Sequence, residues 1–332
     1  MPEASFGMLA LVIVLAVGFD FVNGMTDAPN AIATVISTRA LPPYAALFMA
    51  GAMNLIGALT GTAVAATIAK GFVRTDSVHM LTIASALLAS IIWTFITYRY
   101  GLPCSKSHEL LAGLTGAAFA TGGLHALLWE GWQKVLVGLL LSTLAGFAAA
   151  MILTALVTSL FRAFSPGSVN GIFRYAQVGS AGLMAYSHGS NDAQKTMGII
   201  TLALLVNHRI SVFHVPDWVI LLSAVTMGVG TAFGGWKIIK TMGFHITKLE
   251  FYQGFCAETG AGAVIEFASR FGIPLSTTHT IGSAIMGVGA SRRMSAVRWS
   301  VAGNVIAAWI ITFPACMLIG AALSLLANFF IR

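Results

Sequence analysis

One set of polar residues occurs twice, in the same order, inside stretches apolar enough to lie in a lipid bilayer. The first copy pairs G-M-T-D-A-P-N (Gly24–Asn30) with P-C-S-K-S-H (Pro103–His108), and the second pairs H-G-S-N-D-A-Q-K (His188–Lys195) with P-L-S-T-T-H (Pro274–His279). Each half of the chain therefore carries one acidic motif and one hydroxyl-rich motif. Ionised groups at membrane depth cost several kcal/mol unless they are paired or solvated, so a duplicated polar set predicts one central polar site rather than scattered packing residues.

The apolar background decides the class. Hydrophobic residues make up 57% of the 332 and charged residues 9%, against about 25% charged in soluble domains; the mean hydropathy is +0.86. Five apolar runs, 44–69, 78–98, 135–160, 218–239 and 301–329, reach the roughly 20 residues that cross a bilayer core. The expectation is an all-α polytopic membrane protein of the cell membrane. The N-terminal M-P-E-A-S-F-G has no basic region and no small-residue cleavage site, so the first apolar run reads as a retained span.

Basic residues gather in 162–174 and 291–298, which predicts that these connections face the cytoplasm. The net charge of +7 then reflects topology and contact with anionic membrane lipid. No basic groove interleaved with aromatics suggests nucleic acid. Cys104, Cys256 and Cys316 lack the spacing of a disulfide framework or a zinc site and read as small apolar fillers. Runs 57–63 and 227–235 place small residues at helix-contact spacing and read as close packing.

Each half reads as five elements, 6–38, 44–69, 78–100, 102–122 and 132–160, then 172–206, 218–240, 251–270, 273–290 and 299–329. This divides the chain into a first membrane repeat (1–160), a short linker (161–171) and a second repeat (172–332). An odd number of crossings per half inverts the second repeat, an arrangement common in secondary transporters. Broken or re-entrant helices are tolerated at membrane depth only where they line a cavity or are buried in protein.

Within that frame, Pro29 and Gly24 mark a plausible helix break around Asp27, where carboxylate, amide and carbonyl oxygens make a hard-cation site. Asn191, Asp192 and Gln194 offer the same set in the second copy. Pro103 and Pro274 each lead a hydroxyl series, Ser105 and Ser107, then Ser276, Thr277 and Thr278, each ending in a His. Pro in the first turn and Ser or Thr at the cap predict helix starts, whose free N–H groups and dipole attract anions. Hydroxyls and amides bind an oxyanion without leaving a buried permanent charge after release.

G-M-T-D-A-P-N-A-I-A-T, H-G-S-N-D-A-Q-K-T-M-G, P-L-S-T-T-H-T and A-W-I-I-T-F-P (Ala308–Pro314) resemble the signatures of the PiT family of inorganic phosphate transporters, across essentially the whole chain. The resemblance implies an inverted-repeat symporter, commonly a homodimer, that moves phosphate with Na⁺ or H⁺ and needs no cofactor. It implies cation ligands at Asn23, Asp27, Asn191 and Asp192, and phosphate ligands at Ser105, Ser107, Ser276, Thr277 and Thr278, with Asn30 serving either. Thr26 and Gln194-Lys195 depart from the family pattern. Glu258 matches a family carboxylate and is a candidate coupling residue, whereas Leu87 stands at the same spacing before Pro103. The rivals are a transporter of sulfate, arsenate or a neutral metal-phosphate complex, and an intramembrane hydrolase with Asp27 and Asp192 as its dyad. The hydrolase leaves the hydroxyl series unexplained, so no enzyme is expected.

Overall fold

The computed structural model describes residues 6–74 and 78–331, and the reading of the N-terminus therefore rests in part on residues outside those described. Among the described residues the chain is all-helical apart from one isolated bridge, Val73 with Leu127. The first half holds α1 (Phe6–Asp27), α2 (Pro29–Ser37), α3 (Pro43–Ala58), α4 (Ala63–Gly71), α5 (Met80–Arg99), α6 (Lys106–Gly122), α7 (Trp129–Leu140) and α8 (Gly146–Leu160). The second holds α9 (Pro166–Val206), α10 (Asp217–Phe233), α11 (Trp236–Lys240), α12 (Phe251–Arg270), α13 (Thr277–Arg292) and α14 (Trp299–Ile331).

Among the described residues four helical stretches are long and apolar enough to cross a membrane: Phe6–Ser37, Met80–Arg99, Trp129–Leu160 and Trp299–Phe330. Two of the apolar runs are not straight spans. The run 44–69 bends by 73° between α3 and α4, and the run 218–239 bends by 62° between α10 and α11. In the second bend Gly234 takes φ +69°, a left-handed conformation that glycine adopts without steric cost. In the first, the freed N–H groups of Val64 and Ala65 donate to Gln194 Oε1 at 2.7 and 3.3 Å, so a side chain of α9 caps α4.

The acidic motifs, by contrast, are not unwound. Pro29 interrupts the ladder between α1 and α2, but Ala28 keeps helical dihedrals and the two continue as one stretch. The second copy has Gln194 where the first has Pro29, and α9 runs unbroken through it. The expected exposure of carbonyls at both motifs is thus replaced by continuous helix, because a single missing donor costs only one bond of the ladder.

Helix contacts repeat when the halves are exchanged. The helix α6 packs on α14 as α13 packs on α8, and α3 packs on α9 as α10 packs on α1. Glycines make these approaches possible in matched pairs. A Cβ on Gly57 would lie 2.0 Å from the Tyr186 carbonyl oxygen, and one on Gly230 would lie 2.4 Å from that of Phe21.

The apolar interior forms two cores, and both draw on both halves. One takes Ala28, Ala31–Ile36 of α2, Ala46–Ala50 of α3 and Phe173–Ala185 of α9; the other takes Leu9–Phe19 of α1, Ala58 of α3 and Ala193–Leu204 of α9. Between them each helix turns polar: Asp20, Asn23 and Asp27 on α1, Asn54 on α3, and Ser187, His188, Asn191 and Asp192 on α9, all buried. The duplicated motifs thus lie in a polar layer sandwiched between two apolar cores.

Candidate functional site

The two hydroxyl motifs begin helices at their predicted Ser caps, with Pro103 and Pro274 two residues before the cap rather than in the first turn. Ser105 caps α6 by accepting from the His108 N–H at 3.3 Å, and Ser276 caps α13 by accepting from the His279 N–H at 3.1 Å. They also meet each other. Ser107 Oγ donates to the Leu275 carbonyl at 2.8 Å, and Thr278 Oγ1 lies 3.4 Å from the Cys104 carbonyl, the equivalent bond in the other direction. The rings of His108 and His279 touch edge to face, with centroids 4.7 Å apart. Two helix N-termini thereby converge in a buried place, where partial positive charge from both dipoles adds.

Neighbouring helices hold these segments from outside. Trp309 Nε1 of α14 donates to the Pro103 carbonyl at 3.0 Å, and Ser142 Oγ accepts from the Ser276 N–H at 3.1 Å. Ser142 lies in a π-helical turn, 141–145, that joins α7 to α8. Such turns displace a side chain from the regular helical face and recur at functional sites.

Asp27 is attached directly to this junction. Thr278 Oγ1 lies 3.1 Å from Asp27 Oδ2, and Asn30 Nδ2 reaches Asp27 Oδ2 at 3.2 Å, Thr278 Oγ1 at 3.1 Å and Thr277 Oγ1 at 3.4 Å. The amide of Asn30 therefore ties the acidic motif of the first half to the hydroxyl series of the second. All four residues are buried.

The second acidic motif comes to the same place. One carboxylate oxygen each from Asp27 and Asp192 and one ring nitrogen of His188 lie within 4.8 Å of one another. Lys195 Nζ pairs with Asp192 Oδ2 at 2.8 Å, and Lys106 Nζ pairs with Glu109 Oε1 at 2.8 Å and lies 3.9 Å from Asp27 Oδ1. Asn54 holds His188 from behind. Asn54 Nδ2 donates to Thr231 Oγ1 at 2.9 Å, which turns Asn54 Oδ1 toward His188 Nδ1, 2.9 Å away.

The remaining sequence-predicted residues fall around this centre. Asn191 Nδ2 donates to Ser269 Oγ at 2.8 Å, while Asn23 and the Oδ1 atoms of Asn191 and Asp192 are buried without a hydrogen-bond partner among the described residues. These oxygens suit a cation, and the carboxylate of Asp192 also a proton, since buried polar groups left unmatched are costly. Glu258 lies apart, held by the hydroxyls of Thr34 and Ser180 and by Gln177 Nε2 at 3.2 Å. Glu266 and Arg270 form an i, i+4 ion pair at the end of α12, 3.1 Å apart.

Sequence reading missed four contributors. Lys106 stands inside the quoted hydroxyl motif, opposite Thr277 when the copies are aligned, and that mismatch was the available signal. Glu109, in the first turn of α6, receives Lys106 and the Thr94 hydroxyl. Asp20, which accepts from Thr196 Oγ1 at 2.8 Å, lies outside the duplicated motif, and Ser142 is hidden in an apolar run.

Residues 23–320 match the model of the phosphate transporter family. The chain is 46% identical over 319 residues to a probable low-affinity inorganic phosphate transporter of Rhizobium meliloti, covering 96% of each chain. It is 43% identical over 314 residues to the protein of the same description in Bacillus subtilis, covering 94% of each. A solved structure described as the sodium-dependent phosphate transporter superposes with a TM-score of 0.91 at 22% identity, over 98% of this chain and 100% of that one. At that identity the likeness concerns the fold. The family and these relatives are described as phosphate transporters, not enzymes, and the several apolar helices make this chain a multi-pass membrane protein.

Proposed function

The chain belongs to the phosphate transporter family, and from that premise we propose that it is a symporter in which phosphate binds between the two hydroxyl-capped helix starts and is coupled to Na⁺ or H⁺ through the acidic motifs. The observation that carries this reading is the shared set of donors at Asp27. In this conformer the Thr278 hydroxyl and the Asn30 amide are both within hydrogen-bond reach of its carboxylate.

A phosphate arriving at the helix starts competes with Asp27 for those donors. A cation or proton that takes up the charge of Asp27 releases them, so cation and anion each raise the affinity of the other. That reciprocity is the thermodynamic content of symport. Asn23, Asn191 and Asp192 extend the cation-binding set; Ser105, Ser107, Ser276 and Thr277 extend the phosphate-binding set. Glu258 acts from outside the centre, through Thr34, which lies one helical turn beyond Asn30. No covalent chemistry is involved. The cycle runs on the different affinities of the outward- and inward-facing states for the loaded and empty site.

Two inverted repeats, 1–160 and 172–332 with a linker at 161–171, supply the two facing states. The exchange symmetry of the helix contacts and the reciprocal bonds of Ser107 and Thr278 support this division. Uptake of radiolabelled phosphate into proteoliposomes, under a sodium gradient and separately under a proton gradient, tests the whole reading. Asp27→Asn and Ser276→Ala are each expected to lower uptake by about tenfold or more, the loss of a hydrogen bond to a charged group. Unchanged uptake in both variants would remove the site assignment.

A further inference from the structure

Aligning the two copies of the motifs sets Lys195 opposite Asn30 and Lys106 opposite Thr277. These pairs are not independent. Asn30 and Thr277 touch each other through Nδ2 and Oγ1 at 3.4 Å, and Asn30 also donates to its own carboxylate, Asp27, three residues back. At the corresponding place in the other half both neutral groups are replaced by ammoniums. Lys195 reaches its own carboxylate, Asp192, three residues back at 2.8 Å, and Lys106 lies between Glu109 and Asp27 at 2.8 and 3.9 Å. Both lysines are fully buried, and among the described residues no other lysine or arginine is.

We propose that Lys106 and Lys195 are fixed counter-cations of the Asp27–Asp192 centre, occupying by covalent tether the position that a dissociable sodium ion would otherwise fill. The inference rests on the symport reading above and makes its cation requirement specific. An ammonium held three residues from its carboxylate by a helix is present there at a high, fixed effective concentration. A sodium ion entering beside it would meet a like charge inside a low-dielectric layer, with one oxygen of Asp192 already engaged. The pair also supplies positive charge near the converging helix N-termini, so phosphate binding needs no sodium to complete its field.

The internal repeat dictates the test. Lys106→Thr and Lys195→Asn exchange each lysine for the residue at its own symmetric position, and Lys106→Arg with Lys195→Arg keeps both charges. Phosphate uptake by proteoliposomes is measured in sodium and in choline at one pH, alongside radiolabelled sodium binding to the purified wild-type protein. Wild type is expected to change by less than about twofold between the two salts and to bind no sodium. The Thr/Asn double variant is expected to lose uptake in choline and to regain about tenfold or more in sodium. The arginine pair is expected to stay sodium-independent.

Wild-type uptake that requires sodium overturns the inference and leaves the symport reading standing. No wild-type phosphate uptake in either salt overturns that reading, and the inference falls with it. A Thr/Asn variant that is monodisperse yet equally active, or equally inactive, in both salts also overturns the inference. If that variant does not fold, sodium binding by wild type decides, since bound sodium contradicts a site already filled by lysine.

Discussion

Asn30 has two amide protons and three acceptors within reach, the carboxylate of Asp27 and the hydroxyls of Thr277 and Thr278. Replacing it by aspartate keeps the shape and reverses the chemistry. Two carboxylates at about 3–4 Å repel by roughly 4 kcal/mol at an effective dielectric of 20. Asn30→Asp is therefore expected to lower phosphate uptake about a hundredfold, and Asn30→Ala less; equal losses in the two would mean that the amide only fills space. Asp27, Asn30, Ser276 and Thr278 were legible in the sequence because a duplicated polar residue inside an apolar run has few structural uses. Lys106, Asp20 and Ser142 were not, for different reasons. A lysine beside a carboxylate at i+3 reads as a surface pair. Asp20 has no counterpart in the other copy of the motif. The π-helical turn that aims Ser142 at the Ser276 N–H leaves no mark in the hydropathy of residues 135–160.

At the scale of elements, the paired glycine contacts hold the crossing helices at backbone distance. Gly57 and Gly230 serve the crossings of α3 with α9 and α10 with α1, and Gly116 and Gly287 serve those of α6 with α14 and α13 with α8. A Cβ on Gly116 would lie 2.0 Å from the Met317 carbonyl oxygen, and one on Gly287 would lie 2.3 Å from that of Phe147. Backbone cannot yield as a flexible side chain can. Gly57→Ala and Gly230→Ala are each expected to destabilise by about 1–3 kcal/mol or to misassemble. Gly179→Ala, where nothing lies within 4 Å, is expected to leave stability unchanged. Thermal unfolding followed by size-exclusion chromatography in detergent separates these outcomes. The order of the elements was readable from the apolar runs and from the repeat, but among the described residues the ten expected elements become fourteen helices because several of them break. The bends at 59–62 and at Gly234 were not, because hydropathy stays high through both, and the cap that Gln194 provides for α4 is a contact between residues far apart in sequence.

For the whole molecule, each apolar core is built from both halves, and the duplicated motifs lie in the polar layer between them. This follows from the exchange of helices between halves, since α6 rests on α14 and α13 on α8. Motion of one half therefore moves parts of both cores relative to the layer. The sequence alone located the motifs but could not bring the two hydroxyl series together, because the bonds that join them link residues half the chain apart. The central claim is that phosphate binds where those series meet, at Ser107 and Thr278. Equilibrium binding of radiolabelled phosphate to the purified protein, wild type against Ser107→Ala with Thr278→Val, addresses it most directly. The account predicts a loss of affinity of about tenfold or more in a variant that remains folded, and a folded variant that binds phosphate as wild type does would contradict it.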